Sequence, residues 1–178
     1  AIVLSDIGTN SFLLPPETWL QGQSMPNRLT LLAEWVKGGG ALIMAGGYLS
    51  FQGFEAKARF AGTAVEAVLP VACLTHDDRA ETPEGAVPTI TDAAHPVLAG
   101  VPSGMPALLG YNRVQLKPGA TLIATVNGDP LIAAAQVGKG RTLVWTSDIG
   151  PHWCPEPFVK WEGFAPLMAN MITWVAGR

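Results

Sequence analysis

Apolar residues fall into short dense runs broken by glycine, proline and polar turns, the pattern of buried strands alternating with helices. Ile2–Leu4 predicts a central parallel strand, too short and too apolar for a sheet edge. Residues 12–23, with a proline pair, read as an irregular crossover. Ser24 and Pro26 mark a helix start, and Leu29, Leu32, Ala33 and Val36 recur at i, i+3, i+4 and i+7 on one buried face. Gly38 ends that helix, and Ala41–Ala45 forms a wholly apolar strand. Gly46 and Gly47 then open a sharp turn. Beyond it, residues 53–60 and 63–69 predict two short helices, and residues 70–74 a strand. A polar loop at 75–79 follows, then a surface excursion rich in proline, threonine and acid at 81–92. The last third is clearer. Three apolar β runs, Thr121–Val126, 131–137 and 142–146, are separated by Asn127-Gly128-Asp129 and Gly138-Lys139-Gly140, which makes a late β-hairpin series. Phe164–Val175 closes as a helix with Leu167, Met168, Met171, Ile172 and Val175 on one face.

Composition narrows the class. A chain of 178 residues, 48% hydrophobic and 14% charged, suits one folded domain over residues 1–178 and argues against disorder. A net charge of −3 gives no electrostatic reason to expect a nucleic-acid partner or an anionic membrane surface. No apolar run reaches the roughly 20 residues a bilayer requires. Cys73 and Cys154 define neither a disulfide framework nor a metal spacing, so neither a metal nor a cofactor is expected. These features predict a cytoplasmic α/β domain, with a homo-oligomer left open.

The stretch from Gly38 to Gly53, GGGALIMAGGYLSFQG, organises the rest. A strand, a glycine turn and a following segment lift one side chain above the carboxyl edge of a sheet, where open α/β folds hold ligands. The tetrapeptide Ser-Asp-Ile-Gly follows an apolar strand twice, at 5–8 and 147–150, which should bring Asp6 and Asp148 to the same edge.

Gly46-Gly47-Tyr48-Leu49-Ser50-Phe51-Gln52 resembles the nucleophile turn of the class I glutamine amidotransferases. There a glycine, an aliphatic residue, the catalytic cysteine, a leucine, a glycine, a histidine and a glutamine follow one another. The first glycine, Leu49 and Gln52 match, while Tyr48 stands at the cysteine, Ser50 at the glycine and Phe51 at the histidine. The later PLIAAAQVGKGRTLVWTSDIGPHW extends the likeness, so it is to a branch that keeps the fold without the thiol. The resemblance implies a three-layer, flavodoxin-like α/β fold with a mostly parallel sheet. It also implies that a βα portion normally precedes the first strand.

Chemistry at this site has to do without the usual nucleophile. A tyrosine with a pKa near ~10 is a poor substitute for a thiolate, so glutamine hydrolysis by the family's route is not expected. The leading expectation is a non-hydrolytic binding or regulatory domain, with a small-molecule ligand at Asp6, Asn10, Tyr48, Ser50, Gln52, Asp148 and His152. The resemblance also places a late histidine and glutamate in the family's triad, and His152 and Glu156 sit at a similar chain position with different spacing. A rival reading is a hydrolase using His152 with Asp148, Ser50 or Cys154 as catalytic candidates. Two carboxylates at Asp6 and Asp148 could instead cap local backbone N–H groups. Tyr111, Asn112 and Arg113 are further candidates for the same rim. A structural or assembly module is the third reading.

Overall fold

The structure, a computed structural model, describes residues 1–177. Its centre is a six-stranded sheet in the order β1-β2-β10-β9-β8-β5, built from β1 (Ile2–Leu4), β2 (Ala41–Ala45), β5 (Thr89–Ile90), β8 (Thr121–Val126), β9 (Asp129–Val137) and β10 (Gly140–Trp145). β2 runs parallel to β1 on one side, with Val3 opposite Ile43, and parallel to β10 on the other, with Leu143 opposite Ile43. From β10 onward the pairing is antiparallel through β9, β8 and β5. The sheet is therefore mixed rather than mostly parallel. Tight turns at Asn127-Gly128 and Gly138-Lys139 return the chain at once, which forces antiparallel neighbours.

All five residues of β2 are buried because the sheet carries a core on each face. Leu42 and Met44 point to one side, into a cluster with Leu29, Leu32, Ala33 and Val36 of α3 (Arg28–Lys37) and Val65 and Val68 of α4 (Ala64–Val68). Ile43 and Ala45 point to the other, where Trp145 packs with Leu167, Met171 and Val175 of α6 (Phe164–Val175). The helices α1 (Asn10–Leu13) and α2 (Pro16–Gln21) lie in the crossover before α3, and α5 (Glu156–Val159) precedes α6. Asn27 caps α3 by accepting from the Leu29 and Thr30 N–H groups.

Three elements differ from the sequence expectation. β1 lies at the sheet edge, with Ile2 39% and Val3 42% exposed and only Leu4 buried. An apolar run reports that a strand is covered somewhere, not that it is paired on both sides. Residues 53–60 do not form a helix. One 3-10 turn, Phe54–Ala56, is followed by irregular chain, and Phe51, Glu55, Ala56 and Arg59 all have left-handed backbone angles. The N–H groups of Gln52, Gly53 and Glu55 donate to the carboxylates of Asp78 and Asp77, which pins this stretch to the loop at 75–79 along a non-helical path. The expected excursion at 81–92 is largely β4 (Arg79–Ala86), paired antiparallel with β6 (Leu108–Asn112) in a small separate sheet. A second two-stranded sheet joins β3 (Val71–Cys73) to β7 (Val114–Leu116). No helix among the described residues is long and apolar enough to cross a membrane.

Candidate functional site

The turn after β2 is fastened from below. The Gly46 N–H donates to the carbonyls of Trp145 (2.7 Å) and Ser147 (2.9 Å), tying it to the end of β10. Gly47 has φ of 141°, a conformation open to glycine and strained for other residues. Its N–H donates to Asn112 Oδ1 (2.9 Å), and the Asn112 amide donates back to the Gly47 carbonyl (3.2 Å) and to Asp78 Oδ1 (2.8 Å). Asp78 also accepts from the N–H groups of Gln52 (2.7 Å) and Gly53 (2.9 Å). Both Asn112 and Asp78 are fully buried. Burial pushes the Asp78 carboxyl above its ordinary range, although the Asn112, Gln52 and Gly53 bonds pull the other way. Its two oxygens thus clamp the far side of the turn.

At the tip, Tyr48 is 36% exposed. Its ring stacks on Phe54 (centroids 5.9 Å apart) and meets His152 edge-on (5.1 Å). The Arg79 guanidinium covers both Tyr48 (4.8 Å) and Phe54 (4.5 Å), held by Asp77 at 3.0 and 2.9 Å. The Tyr48 hydroxyl donates to Glu81 Oε1 (3.2 Å), whose other oxygen accepts from the indole N–H of buried Trp153 (2.8 Å). The phenol is thus engaged on its face, its edge and its hydroxyl.

Asp6 and Asp148 do arrive at one place, on either side of Gly47. A methyl group there would lie 2.8 Å from Asp6 Oδ1 and 3.1 Å from Asp148 Oδ1. Each carboxylate is committed to backbone. Asp6 Oδ1 accepts from the Leu49 N–H at 2.6 Å, and Asp148 Oδ2 accepts from the Trp153 N–H at 3.0 Å. Asp148 Oδ2 also lies 2.8 Å from His152 Nδ1. In the neutral ring, an accepting carboxylate places the proton on Nδ1 and leaves Nε2 with its lone pair. Among the described residues no three metal-ligating side chains gather.

The expected ligand residues divide between two hollows. One, about 440 Å³, is lined by Asp6, Tyr48, Asp148, Ile149 and His152. The other, about 670 Å³, lies on the far side of Leu49 and takes in Gly8, Asn10, Gln52, Arg59 and Thr75. Two catalytic candidates fall away. Ser50 is 1% exposed, and its Oγ accepts from the Asp6 N–H (3.1 Å), so it braces the turn and presents no nucleophile. Cys154 is fully buried in the α6-side core, where desolvation and the nearby Asp148 charge push its thiol up to about 12. At pH 8 only about one molecule in ten thousand would carry that thiolate. Burial, with Glu66 and Asp78 nearby, raises Cys73 further. The native protein is therefore expected not to react with Ellman's reagent until denaturant is added; prompt labelling of Cys154 in native buffer would contradict this placement.

Tyr111 turns away from the rim, donating to Asp129 Oδ2 (2.9 Å), and the Arg113 backbone N–H donates to the Asp78 carbonyl (2.7 Å). Asn112 does reach the site, underneath the turn and not on its rim. Sequence reasoning missed Asp78, Arg79, Glu81 and Phe54. Arg79 and Glu81 share a strand face by their i, i+2 spacing, a signal readable only once β4 is recognised as a strand.

The whole described chain, residues 1–177, matches the family model described as "Putative glutamine amidotransferase" (GATase1-like). The chain belongs to this family. Two solved relatives of the GATase1-like chain come from Salmonella typhimurium. The cytoplasmic protein STM3548 is 42% identical with a TM-score of 0.94, over 98% of this chain and 70% of that one. The cytoplasmic protein STM1381 from strain LT2 is 41% identical, also at 0.94, over 98% and 71%. A ThuA-like protein from Parabacteroides merdae, at 13% identity and TM-score 0.56 over 97% and 75%, shares the fold alone. No curated protein matches.

Proposed function

We propose that this GATase1-like chain is a cytoplasmic, non-hydrolytic small-molecule-binding or regulatory domain on a flavodoxin-like scaffold. One observation carries the reading: the Leu49 N–H, which directly follows the turn's tip and would hold an oxyanion, is already bonded to the Asp6 carboxylate at 2.6 Å. A carboxylate at that donor takes the place an oxyanion would occupy and opposes the charge a tetrahedral intermediate develops. The tip residue, Tyr48, is engaged by Phe54, Arg79 and Glu81 and is no replacement for a thiolate.

The wild-type chain is expected to release no ammonia from glutamine above background, and Tyr48→Cys to remain silent as well, because Asp6 still occupies the Leu49 N–H. Ammonia release by the wild type would overturn the reading. A second reading rests on the His152–Asp148 pair, whose free Nε2 has the layout of a general base. Running the same comparison over a panel of esters and amides, with His152→Ala beside wild type, separates the two. Hydrolysis that disappears in His152→Ala would favour this second reading.

A further inference from the structure

We infer that the larger hollow beside Leu49 is a binding site for a small organic monocarboxylate, with Gln52 Nε2 and the Arg59 guanidinium as its donors. This deepens, and rests on, the small-molecule-binding reading above. Gln52 is only 8% exposed. Its backbone N–H is spent on Asp78 (2.7 Å), its carbonyl accepts from the Ala58 N–H (3.0 Å), and its Oε1 accepts from the Ala61 N–H (3.3 Å). The Ala61 bond also fixes which end of the amide is oxygen. That leaves Nε2, which donates to no protein group among the described residues and is open to the cleft that Gln52 lines. A donor with no protein acceptor on a cleft wall is free to bond an acceptor that enters the cleft.

The cavity is real and continuous. Gln52, Asn10, Arg59 and Thr75 line both the hollow of about 670 Å³ and its neighbour of about 550 Å³, which makes them one cleft. Charge sets the ligand's sign. Glu55 and Lys57, also on the cleft wall, pair with each other at 2.5 Å and cancel. Asp77 is occupied by Arg79, and Asp6, whose Oδ1 accepts from the Leu49 N–H, lines the other hollow. Arg59 has no carboxylate partner among the described residues, so the cleft carries one surplus positive charge and surplus N–H donors. A planar guanidinium fork matches a carboxylate, and a single cation balances one negative charge better than the two of a phosphate. Leu49 and Ala56 supply an apolar wall for the ligand's carbon chain.

The test is a titration of the isotope-labelled 178-residue chain followed through the Gln52 side-chain amide and Arg59 Nε–H resonances. The probes are sodium lactate, its neutral isostere lactamide, and inorganic phosphate. Lactate is expected to shift both resonances saturably and lactamide to bind at least about tenfold more weakly. Arg59→Gln, at an exposed position, should melt as the wild type does yet lose about tenfold in lactate affinity. Gln52→Glu keeps an acceptor for the Ala61 N–H while repelling an anion, and should abolish the lactate shift of the Arg59 Nε–H resonance. Equal binding of lactate and lactamide would overturn the proposal. So would an unchanged affinity in Arg59→Gln, a stronger response to phosphate, or shifts confined to Ile149 and His152. None of those outcomes bears on ammonia release, so the non-hydrolytic reading stands or falls separately.

Discussion

Replacing Asp78 by alanine is expected to lower the unfolding free energy by about 4 kcal/mol, the largest single effect in the turn region. The carboxylate is fully buried and receives three hydrogen bonds, from the Gln52 and Gly53 backbones and from the Asn112 amide. Truncation leaves three donors with no acceptor in a space closed to water, at roughly 1–3 kcal/mol for each group left unsatisfied. Relief of a buried negative charge returns part of that, which is why the expected total is below the sum. The check is urea unfolding at neutral pH, where the midpoint should fall with little change in slope. A loss under about 1 kcal/mol would show that the turn does not depend on its clamp.

The pH dependence of the same residue has a definite sign. Burial raises the folded-state pKa of Asp78, so on raising the pH the unfolded chain ionises first. Between the two pKa values the folded state holds more protons, and stability falls as pH rises. Asp77 works oppositely. Its side-chain bond to Arg79 depresses its pKa, so its contribution is present above the ordinary carboxylate range and is lost as pH falls. Asp78→Ala should remove only the first trend, flattening the decline in wild-type stability from about pH 4 upward.

Gly46→Ala is expected to cost about 3 kcal/mol and to open the site. A Cβ on Gly46 would overlap the Thr146 carbonyl, with its carbon at 2.5 Å and Asn112 Oδ1 at 2.9 Å. Those atoms are strand-end backbone and a buried side chain with two other bonds, so none can swing aside. Relief requires parting the ends of β2 and β10, which breaks the Gly46 N–H bonds to Trp145 and Ser147. Because Asn112 also holds Gly47, the displacement should pass directly into the turn. Hydrogen exchange should report it. Protection at Gly46, Gly47 and Asn112 is expected to drop while that of α6 is kept. A variant melting within a degree or two of the wild type would show that the two strand ends tolerate separation.

Some of this molecule is written in its residue order. The apolar run Ala41–Ala45 followed by two glycines determined a buried strand and a sharp turn, because five consecutive apolar residues have no solvent face to offer. The spacing of Leu29, Leu32, Ala33 and Val36 determined a helix and the face it buries. The repeated Ser-Asp-Ile-Gly determined that two aspartates meet at one edge, since each copy follows a strand parallel to β2. Other features were settled only in three dimensions. His76-Asp77-Asp78-Arg79 reads as one solvated loop, yet Asp78 is fully buried and its two neighbours in sequence are not. Nothing local distinguishes them, because what buries Asp78 is the convergence of Gln52, Gly53 and Asn112 from distant parts of the chain. Residues 53–60 have helical composition and lose the helix for a related reason, the chain being pinned at Gly53 and Glu55 by carboxylates 25 and 22 positions away. Hydrophobic periodicity reports the face an element buries, whereas the partners of a buried charge depend on which loops the sheet brings together.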